Sequence, residues 1–507
     1  MDAKEPQNSI LDAIDGRSSH SSNGDIPKEP AAAAESHDIE KTASIVLPPP
    51  YTAFTPGRQL LIILIATAAG FFSPVCGAVY LPSLKLFEKI FNTTSGVING
   101  SVSIYWAVFG IAPLFGAPAS DFGGRKTVYI WSLAVFLVAN GLLAALPPTL
   151  GGLFTLRVFQ AIGSSMVTSV GAGTVADVTE PAKRASRMGL FLLGPQLGPL
   201  LGPLIGGQFS SESRWRWIFG FLSIAAIPVY TLMLFFLPET LRCLVGNGSH
   251  YAEKGWFVVP RFRQKQVVPD GEYPRPPRFT PKQLFRVLLF VPNCIVTLSS
   301  AFNFAGLSTM YVVFPTVWQT KYGWSGSETG YAYLAPGVFL LLASFAIGRF
   351  SDFQYRRYKA KHEGKAPAPE WRVEMQLYAY IITAAGKAMF GWFILRHYHP
   401  VAVLVAISLA AVGTGMIMIL STSYQTECMP TSAALLVALG GLLRNVGSAI
   451  AAAILDSLLG RMGYGWFFTG LAFMDIACIS GLVFIRFRGH VYRENFTASS
   501  KPALSPK

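Results

Sequence analysis

Charged residues are scarce in this sequence. Only 13% of its 507 residues are charged, whereas 51% are hydrophobic. A soluble multidomain protein of this length needs far more charged surface, so the composition excludes that class. Long apolar runs replace the amphipathic pattern of soluble helices, and they predict an all-α membrane protein.

Clustered cysteines and intramembrane histidines are also missing. The five cysteines occur singly, so their spacing predicts neither a metal site nor a disulfide framework. All seven histidines fall in predicted tails or loops, so no membrane-spanning segment carries a metal centre or a histidine-based catalytic cluster. We therefore expect no cofactor and no metal, and we expect that the protein is not an enzyme.

The apolar runs predict twelve membrane-spanning helices, which we call span 1 to span 12 in chain order. The first six are predicted at 59–80, 99–119, 127–146, 151–176, 187–208 and 215–237. The second six are predicted at 287–315, 327–349, 376–395, 400–421, 433–456 and 465–486. Each is long enough to cross a bilayer.

These spans imply two six-helix bundles and three polar segments. The bundles are predicted at 58–237 and 287–486, and a cytosolic linker at 238–286 joins them. A polar, acid-rich tail at 1–57 is predicted to be disordered, and a short tail follows at 487–507.

The net charge of +14 arises mainly from basic residues in the segments between and beside the spans. Four arginines at span boundaries are counted with the adjoining loops: Arg187, Arg216, Arg349 and Arg486. With the N-terminus inside, 31 of the 41 Lys and Arg residues then lie in cytosolic segments, seven lie outside and three lie within spans. This asymmetry predicts that both termini are cytosolic. It explains the positive charge without nucleic acid as a partner. The basic linker either contacts anionic lipid or only sets topology.

Two glycosylation triplets fall on the predicted outer side. Asn92 begins an Asn-x-Thr sequence between spans 1 and 2, and Asn99 begins an Asn-x-Ser sequence at the outer end of span 2. Both are candidate glycosylation sites.

Span 5 contains a regular glycine pattern. Residues 194–207 read GPQLGPLLGPLIGG, so a glycine recurs at every fourth position. In a helix these glycines form a stripe without side chains, which a neighbouring helix can approach closely. The segment resembles the antiporter motif of drug:proton exporters of the major facilitator superfamily. The matching residues are Gly198, Gly202, Pro203, Gly206 and Gly207. An ordinary packing face would explain the stripe but not the Gly-Pro step with the final glycine pair.

The loop after span 2 resembles a second motif of that superfamily. Asp121, Gly124, Arg125 and Lys126 match it, while Ala117 and Phe122 depart from it. A similar sequence follows span 8, with Asp352, Arg356 and Arg357 at the corresponding offsets. The resemblance implies that Asp121 meets the start of span 11, near Thr431 and Ser432, and so locks the cytosolic side. We expect Asp121→Asn to impair the cycle more than Arg125→Lys, which keeps a cation.

In span 4, Arg157 and Gln160 match a third motif, whose arginine the family places near the proton pathway. A structural ion pair is the alternative for Arg157. Further matching pieces lie at 215–219, 237–242 and 369–372. Together they resemble the fungal twelve-spanner drug:proton antiporter branch, which includes quinidine-resistance and dityrosine-exporter-like members.

That resemblance implies a function. We expect a monomeric exporter of small amphipathic organic compounds that uses alternating access and proton antiport, located in the plasma membrane. The alternatives are a facilitator or importer on the same fold, or a membrane receptor that does not transport.

The resemblance also implies a central cavity built mainly from spans 1, 4, 7 and 10. Candidates for its lining are Phe71, Phe72, Tyr105, Asn303, Phe304, Tyr311, Met416 and Met418. Span 1 holds no acid, so proton coupling has no obvious carrier. The coupling candidates are Arg157, Gln160, Asp177, Glu427, Asp475, Lys387 and Arg444.

Lys387 and Asp475 lie about halfway along spans 9 and 12, at similar depth. We predict an ion pair between them that braces the second bundle, because either charge alone would be costly in the membrane interior. Direct participation in proton transfer is the alternative.

Overall fold

A computed structural model of the chain describes residues 51–180, 183–248, 290–362, 367–428 and 433–500. All regular secondary structure in these ranges is helical. Eleven helices there are long and apolar enough to cross a membrane. The last of them contains both span 11 and span 12. The helical backbone is broken between these two spans at Gly463, whose φ is 68°. The predicted all-α architecture with twelve spans is therefore confirmed.

The first six spans are continuous helices except for span 2, which is divided at Ala112. Their bounds are Pro56–Ala78, Ser95–Ile111 with Pro113–Gly123, Arg125–Ala145, Leu150–Val178, Arg184–Gln208 and Arg216–Phe236. Short helices at Leu81–Ser83, Leu84–Ile90 and Arg242–Val245 follow spans 1 and 6.

The second set contains longer helices than predicted. Their bounds are Val291–Lys321, Gly326–Ala332 with Leu334–Lys361, Trp371–Leu395, Pro400–Cys428 and Ala433–Ser500. Span 8 was predicted to end at 349, and its helix continues to Lys361 with an exposed basic surface. Hydropathy marks where a helix leaves the membrane, and a polar helix continues past that point without a hydropathy signal.

The predicted disordered tail at 1–57 is wrong at its C-terminal end. Phe54 is only 6% exposed, and the N–H of Ala53 donates to the carbonyl of Asn247 at 2.9 Å. The phenol of Tyr51 donates to the carbonyl of Ala176 at 3.3 Å, and Arg242 stacks over the Tyr51 ring at 3.8 Å. Residues 51–54 therefore tie the ends of spans 4 and 6 together. Aromatic anchors in a polar segment carry too little hydropathy to be predicted.

We call the end of the bundles that holds Tyr51, Gly124 and Val245 the inner end, and the opposite end the outer end. Most of the predicted linker, at 249–289, lies outside the described residues, as do residues 1–50.

Between the described residues of the two bundles there are three hydrogen bonds, and all lie at the outer end. The amide of Asn99 in span 2 donates to Asp456 Oδ2 in span 11 at 3.0 Å. Gln319 donates to the carbonyl of Pro82 at 2.8 Å, and Ser327 donates to the carbonyl of Gly207 at 3.1 Å. The outer end is therefore closed in this conformation.

Candidate functional site

The glycine stripe of span 5 packs directly on span 1. A Cβ atom added to Gly198 would lie 2.5 Å from Pro74 Cγ, and one added to Gly202 would lie 2.8 Å from Ala78 Cβ. At Gly206 it would overlap the carbonyl of Val79. These separations allow no side chain, so the predicted close approach is confirmed and its partner is span 1.

The outer end of span 5 also meets span 8 of the other bundle. A Cβ atom on Gly207 would lie 2.8 Å from the carbonyl of Gly326 and 3.0 Å from Gly330 Cα. One on Gly330 would lie 2.6 Å from the carbonyl of Pro203. The antiporter-like segment is thus packed against its own bundle on one side and against the second bundle on the other.

Arg125 organises the inner end of the first bundle. Its Nε donates to Asp177 Oδ2 at 3.0 Å, and its Nη1 lies 2.8 Å from Asp121 Oδ1 and 2.7 Å from Ser120 Oγ. One guanidinium therefore links the ends of spans 2, 3 and 4. Lys126 donates instead to the carbonyl of Leu234 at 2.8 Å.

Glu239 caps the start of span 3. Its carboxylate accepts from the backbone N–H groups of Arg125 and Lys126 at 2.8 and 3.1 Å, and from those of Thr240 and Leu241 at 3.0 Å each. A carboxylate at a helix N-terminus is favoured by the helix dipole. Burial raises the pKa of Glu239 above its ordinary value, and the four backbone donors oppose that rise. Glu239 lies in the matching piece at 237–242, but the sequence did not indicate that it caps a helix.

Gly124 allows this cap to form. Its φ of 97° suits glycine, and an added Cβ would overlap the Glu239 carboxylate.

Asp121 pairs with Arg125 in this conformation. The predicted contact with Thr431 and Ser432 at the start of span 11 falls outside the described residues. The helix start that receives a carboxylate here is that of span 3, and the carboxylate is Glu239.

The second bundle repeats the arginine cluster with different residues from those predicted. Arg372 donates from Nε and Nη2 to both oxygens of Glu427, at 2.9 and 2.6 Å, and from Nη1 to Ser351 Oγ at 2.5 Å. The counterpart of Arg125 is therefore Arg372, and that of Asp177 is Glu427.

The predicted correspondence of Arg356 and Arg357 with Arg125 and Lys126 is wrong. Both residues are exposed, and Arg356 Nε lies 3.4 Å from the carbonyl of Asp352 in its own helix. The helix of span 8 continues past this point, so the next helix, and with it the clustered arginine, begins later in the chain.

Lys387 and Asp475 form the predicted ion pair. Lys387 Nζ lies 2.7 Å from Asp475 Oδ2, and each side chain is only 1% exposed. Asn303 and Thr383 also donate to this carboxylate, at 3.2 and 3.1 Å. Lys387 Nζ donates to the carbonyl of Asn303 at 3.3 Å. The network therefore joins span 7 to spans 9 and 12, a link that matched depth alone did not predict.

The corresponding position of the first bundle is uncharged. Lys387 lies fifteen residues after Arg372, and Asn140 lies fifteen residues after Arg125. Asn140 Oδ1 accepts from Gln160 Nε2 at 2.7 Å. The two bundles share an architecture but carry different polar chemistry at equivalent depth.

Arg157 is fully buried and forms no ion pair with any described residue. Its Nη1 donates to Gln160 Oε1 at 2.9 Å and to the carbonyl of Cys76 at 3.4 Å. The guanidinium carbon lies 4.2 Å from the centre of the Tyr80 ring and 4.5 Å from that of Tyr105. The alternative of a structural ion pair is therefore wrong for the described part of the chain.

Three of the predicted cavity residues lie inside the bundles. Phe72, Tyr105 and Asn303 are buried, and Tyr105 donates to the carbonyl of Ser73 at 2.9 Å. Their aromatic or amide groups are packed inside the bundles in this conformation and do not line an open cavity. The remaining candidates are half-buried and stay predictions: Phe71, Phe304, Tyr311, Met416 and Met418. Arg444 in span 11 is also half-buried.

Asn99 does not suit glycosylation in this conformation. Its side chain is buried at the contact with Asp456, whereas Asn92 is exposed. Asn92 therefore remains the candidate.

Comparison with known proteins identifies the family. A sequence profile described as Major Facilitator Superfamily matches residues 66–452. The chain belongs to the major facilitator superfamily. It is 36% identical to a dityrosine transporter of Saccharomyces cerevisiae over 89% of this chain and 82% of that protein. It is 35% identical to multidrug transporter DTR1 of Candida glabrata over 88% of each chain.

A further superfamily relative is the MFS antiporter QDR2 of Candida albicans, which is 27% identical over 86% of this chain and 90% of that protein. These relatives confirm the predicted fungal drug:proton antiporter branch. They are transporters and not enzymes, and they place this superfamily member among multi-pass membrane transporters of small molecules.

Solved structures confirm the superfamily fold. The xylose transporter XylE from E. coli, in a partially occluded inward open conformation, gives a TM-score of 0.62 at 14% identity, over 89% of this chain and 99% of that one. An inward-facing bacterial homologue of the human lysosomal transporter Spinster gives a TM-score of 0.58 at 14% identity, over 89% and 100% of the two chains.

Proposed function

We propose that this protein exports small amphipathic organic compounds across the plasma membrane in exchange for protons, as a monomer with both termini in the cytosol. The observation that carries the proposal is the packing of the antiporter-like segment of span 5 between span 1 and span 8. That segment contacts both bundles, so a movement of one bundle relative to the other must act on it. The names of the dityrosine, multidrug and antiporter relatives support export of organic compounds.

Alternating access is supported by where the bundles are joined. The outer end is held by hydrogen bonds from Asn99, Gln319 and Ser327, while Asp121 at the inner end pairs within its own bundle. We infer an inward-facing state, with the inner end towards the cytosol. Opening the outer end breaks these three bonds, and closing the inner end brings Asp121 towards span 11.

The structure favours different roles for the acids within the spans. Asp177 and Glu427 are held by Arg125 and Arg372, and we assign them to the inner-end clusters that keep span ends together. Asp475 is neutralised by Lys387, and we assign it to bracing. Arg157 and Gln160 remain the coupling candidates of the first bundle.

The test is transport in inside-out vesicles that contain the purified full chain. The probe is rhodamine 6G, a fluorescent amphipathic cation. An acidic vesicle interior should drive uptake of the dye against its concentration gradient, and nigericin should abolish that uptake. Gly206→Val protein reconstituted at the same level is the matched control and should show background uptake. Uptake that only follows the dye gradient would instead identify a facilitator, and uptake driven by the opposite pH gradient would identify an importer.

A further inference from the structure

Arg157 has two hydrogen-bond donors that find no partner among the described residues. Its Nε and Nη2 form no hydrogen bond with any residue that the structure describes, although the side chain is fully buried. A buried donor without an acceptor carries the full cost of its lost hydration, and such groups are rare in folded proteins.

The two unpartnered donors lie on the same edge of the guanidinium plane. Nε–H and Nη2–H point in parallel along that edge and match the two oxygens of a carboxylate. Other arginines of this chain use the same edge in this way. Arg372 holds Glu427 with Nε and Nη2 at 2.9 and 2.6 Å, and Arg493 holds Glu370 with the same atoms at 3.2 and 3.4 Å.

The described acids of the first bundle are engaged elsewhere or exposed. The paired acids are Glu88 with Lys85, Asp121 and Asp177 with Arg125, and Glu180 with Lys183. Glu239 caps span 3, and Glu212 lies exposed near the outer end. The faces of Tyr80 and Tyr105 offset part of the Arg157 charge. A full positive charge nevertheless lies buried without an ionic partner among the described residues, which is costly in a membrane protein.

We propose that the Nε/Nη2 edge of Arg157 binds the carboxylate of an organic anion, with the rings of Tyr80 and Tyr105 beside the apolar part of that anion. This inference rests on the proposed function, because it names a chemical class among the exported compounds: amphipathic molecules that carry a carboxylate.

The position of Arg157 indicates when the anion reaches it. Arg157 lies seven residues after Leu150, the first residue of the span 4 helix, which places it about 10 Å from the outer end. Tyr105, which covers it, lies on span 2, and span 2 contacts the second bundle through Asn99. Separation of the bundles at the outer end moves span 2, so the carboxylate meets Arg157 late in export.

The test compares two probes of the same size that differ in charge, benzoate and benzamide. The thermal unfolding midpoint of the full chain in lipid nanodiscs is measured against the concentration of each probe. Benzoate should raise the midpoint more than benzamide in the unmodified protein, and Arg157→Gln should remove that difference. Arg214→Gln, which removes an exposed cation near the outer end, should keep the preference for benzoate.

A second variant separates the two-donor edge from simple charge. Arg157→Lys keeps a cation but lacks the two parallel donors, so it should bind benzoate at least about tenfold more weakly than the unmodified protein. Benzoate affinity equal to that of the unmodified protein in Arg157→Lys would overturn the inference, and so would a preference for benzoate that survives in Arg157→Gln.

Further measurements identify the source of the carboxylate. Counterflow of radiolabelled benzoate through the unmodified protein should occur if the anion is transported. Binding of benzoate that depends on Arg157, without counterflow, would overturn the assignment to the exported compound and identify a site for a free carboxylate. If the protein transports rhodamine 6G but benzoate and benzamide shift the unfolding midpoint equally, this inference is contradicted and the proposed function still stands.

Discussion

The Lys387–Asp475 pair shows how far single residues of this protein depend on their partners. Both charges are buried, at a separation of 2.7 Å. Lys387→Met or Asp475→Leu alone leaves an uncompensated charge and should cost about 3–5 kcal/mol of stability. The double variant removes both charges and should restore folded yield and transport, measured by size-exclusion chromatography and vesicle uptake.

Two results would contradict the bracing role of this pair. Losses that add in the double variant would mean that the charges act independently. Restored yield without restored transport would show that the pair takes part in coupling.

Arg125 should be less tolerant of replacement than its charge alone suggests. The sequence favoured Arg125→Lys as the milder change, but Arg125 bonds to Asp177, Asp121 and Ser120 at once. Lysine keeps the charge and cannot hold all three acceptors in that geometry. We therefore expect Arg125→Lys to reduce transport at least as much as Asp121→Asn does, in the rhodamine uptake assay. Arg357→Lys, at an exposed cation near the C-terminal end of the span 8 helix, should transport normally. A large loss of transport in Arg357→Lys together with a small loss in Arg125→Lys would contradict this assignment.

These residues also show what sequence alone can predict at this scale. The pairing of Lys387 with Asp475 followed from charge and depth, because a buried charge needs a partner and few were available. The pairing of Arg372 with Glu427 did not follow, because it depends on where the helix of span 8 ends. Polar residues inside a bundle, such as Asn303, look the same in a sequence as residues that line a cavity.

Span 5 is the element whose sequence most directly determines its packing. Gly202→Val or Gly206→Val would place a branched side chain within the contact with span 1 and should abolish export while some protein reaches the membrane. Gly189→Val is the matched control, because Gly189 lies in the same helix with open space around it. Vesicle uptake at equal protein level measures the effect. Loss of export in Gly189→Val as well would point to a requirement for helix flexibility and not for close packing.

Hydropathy predicted the existence and order of the elements much better than their ends. The glycine stripe of span 5 was visible because its repeat matches the helical period. The extension of span 8 to Lys361 was not visible, because a helix outside the membrane needs no apolar run. The cap formed by Glu239 was also missed, since it joins two loops that are distant in the sequence.

At the scale of the whole molecule, the contact between Asn99 and Asp456 should help to set the balance between the two conformations. Asn99→Asp places a second carboxylate opposite that of Asp456 across the closed outer end. Repulsion between the two carboxylates should favour opening there. The double variant that carries Asn99→Asp and Asp456→Asn again has one amide and one carboxylate, with their positions exchanged. It should restore the balance between the two conformations to that of the unmodified protein. The measurement is the labelling rate of a cysteine placed at Gly96, which faces Asp456, in a background without the native cysteines.

Each variant has a defined outcome in this labelling experiment. Faster labelling in Asn99→Asp that the exchanged pair reverses supports a contact that stabilises the closed outer end. Equal labelling in all variants would show that the remaining contacts at the outer end set the balance. The division into two bundles was predictable from the sequence. The contact between Asn99 and Asp456 was not, because it depends on how spans 2 and 11 pack against each other.

The attachment of residues 51–54 has a practical consequence for anyone who shortens or tags this protein. A fluorescent protein fused ahead of Tyr51 leaves every described contact of this peptide in place. A truncation that begins at Pro56 removes the stacking partner of Arg242 and the buried ring of Phe54, and so exposes the ends of spans 4 and 6 to water. Expression screens that trim the N-terminus to the first apolar run will therefore select against the folded protein, and trimming should stop at residue 50.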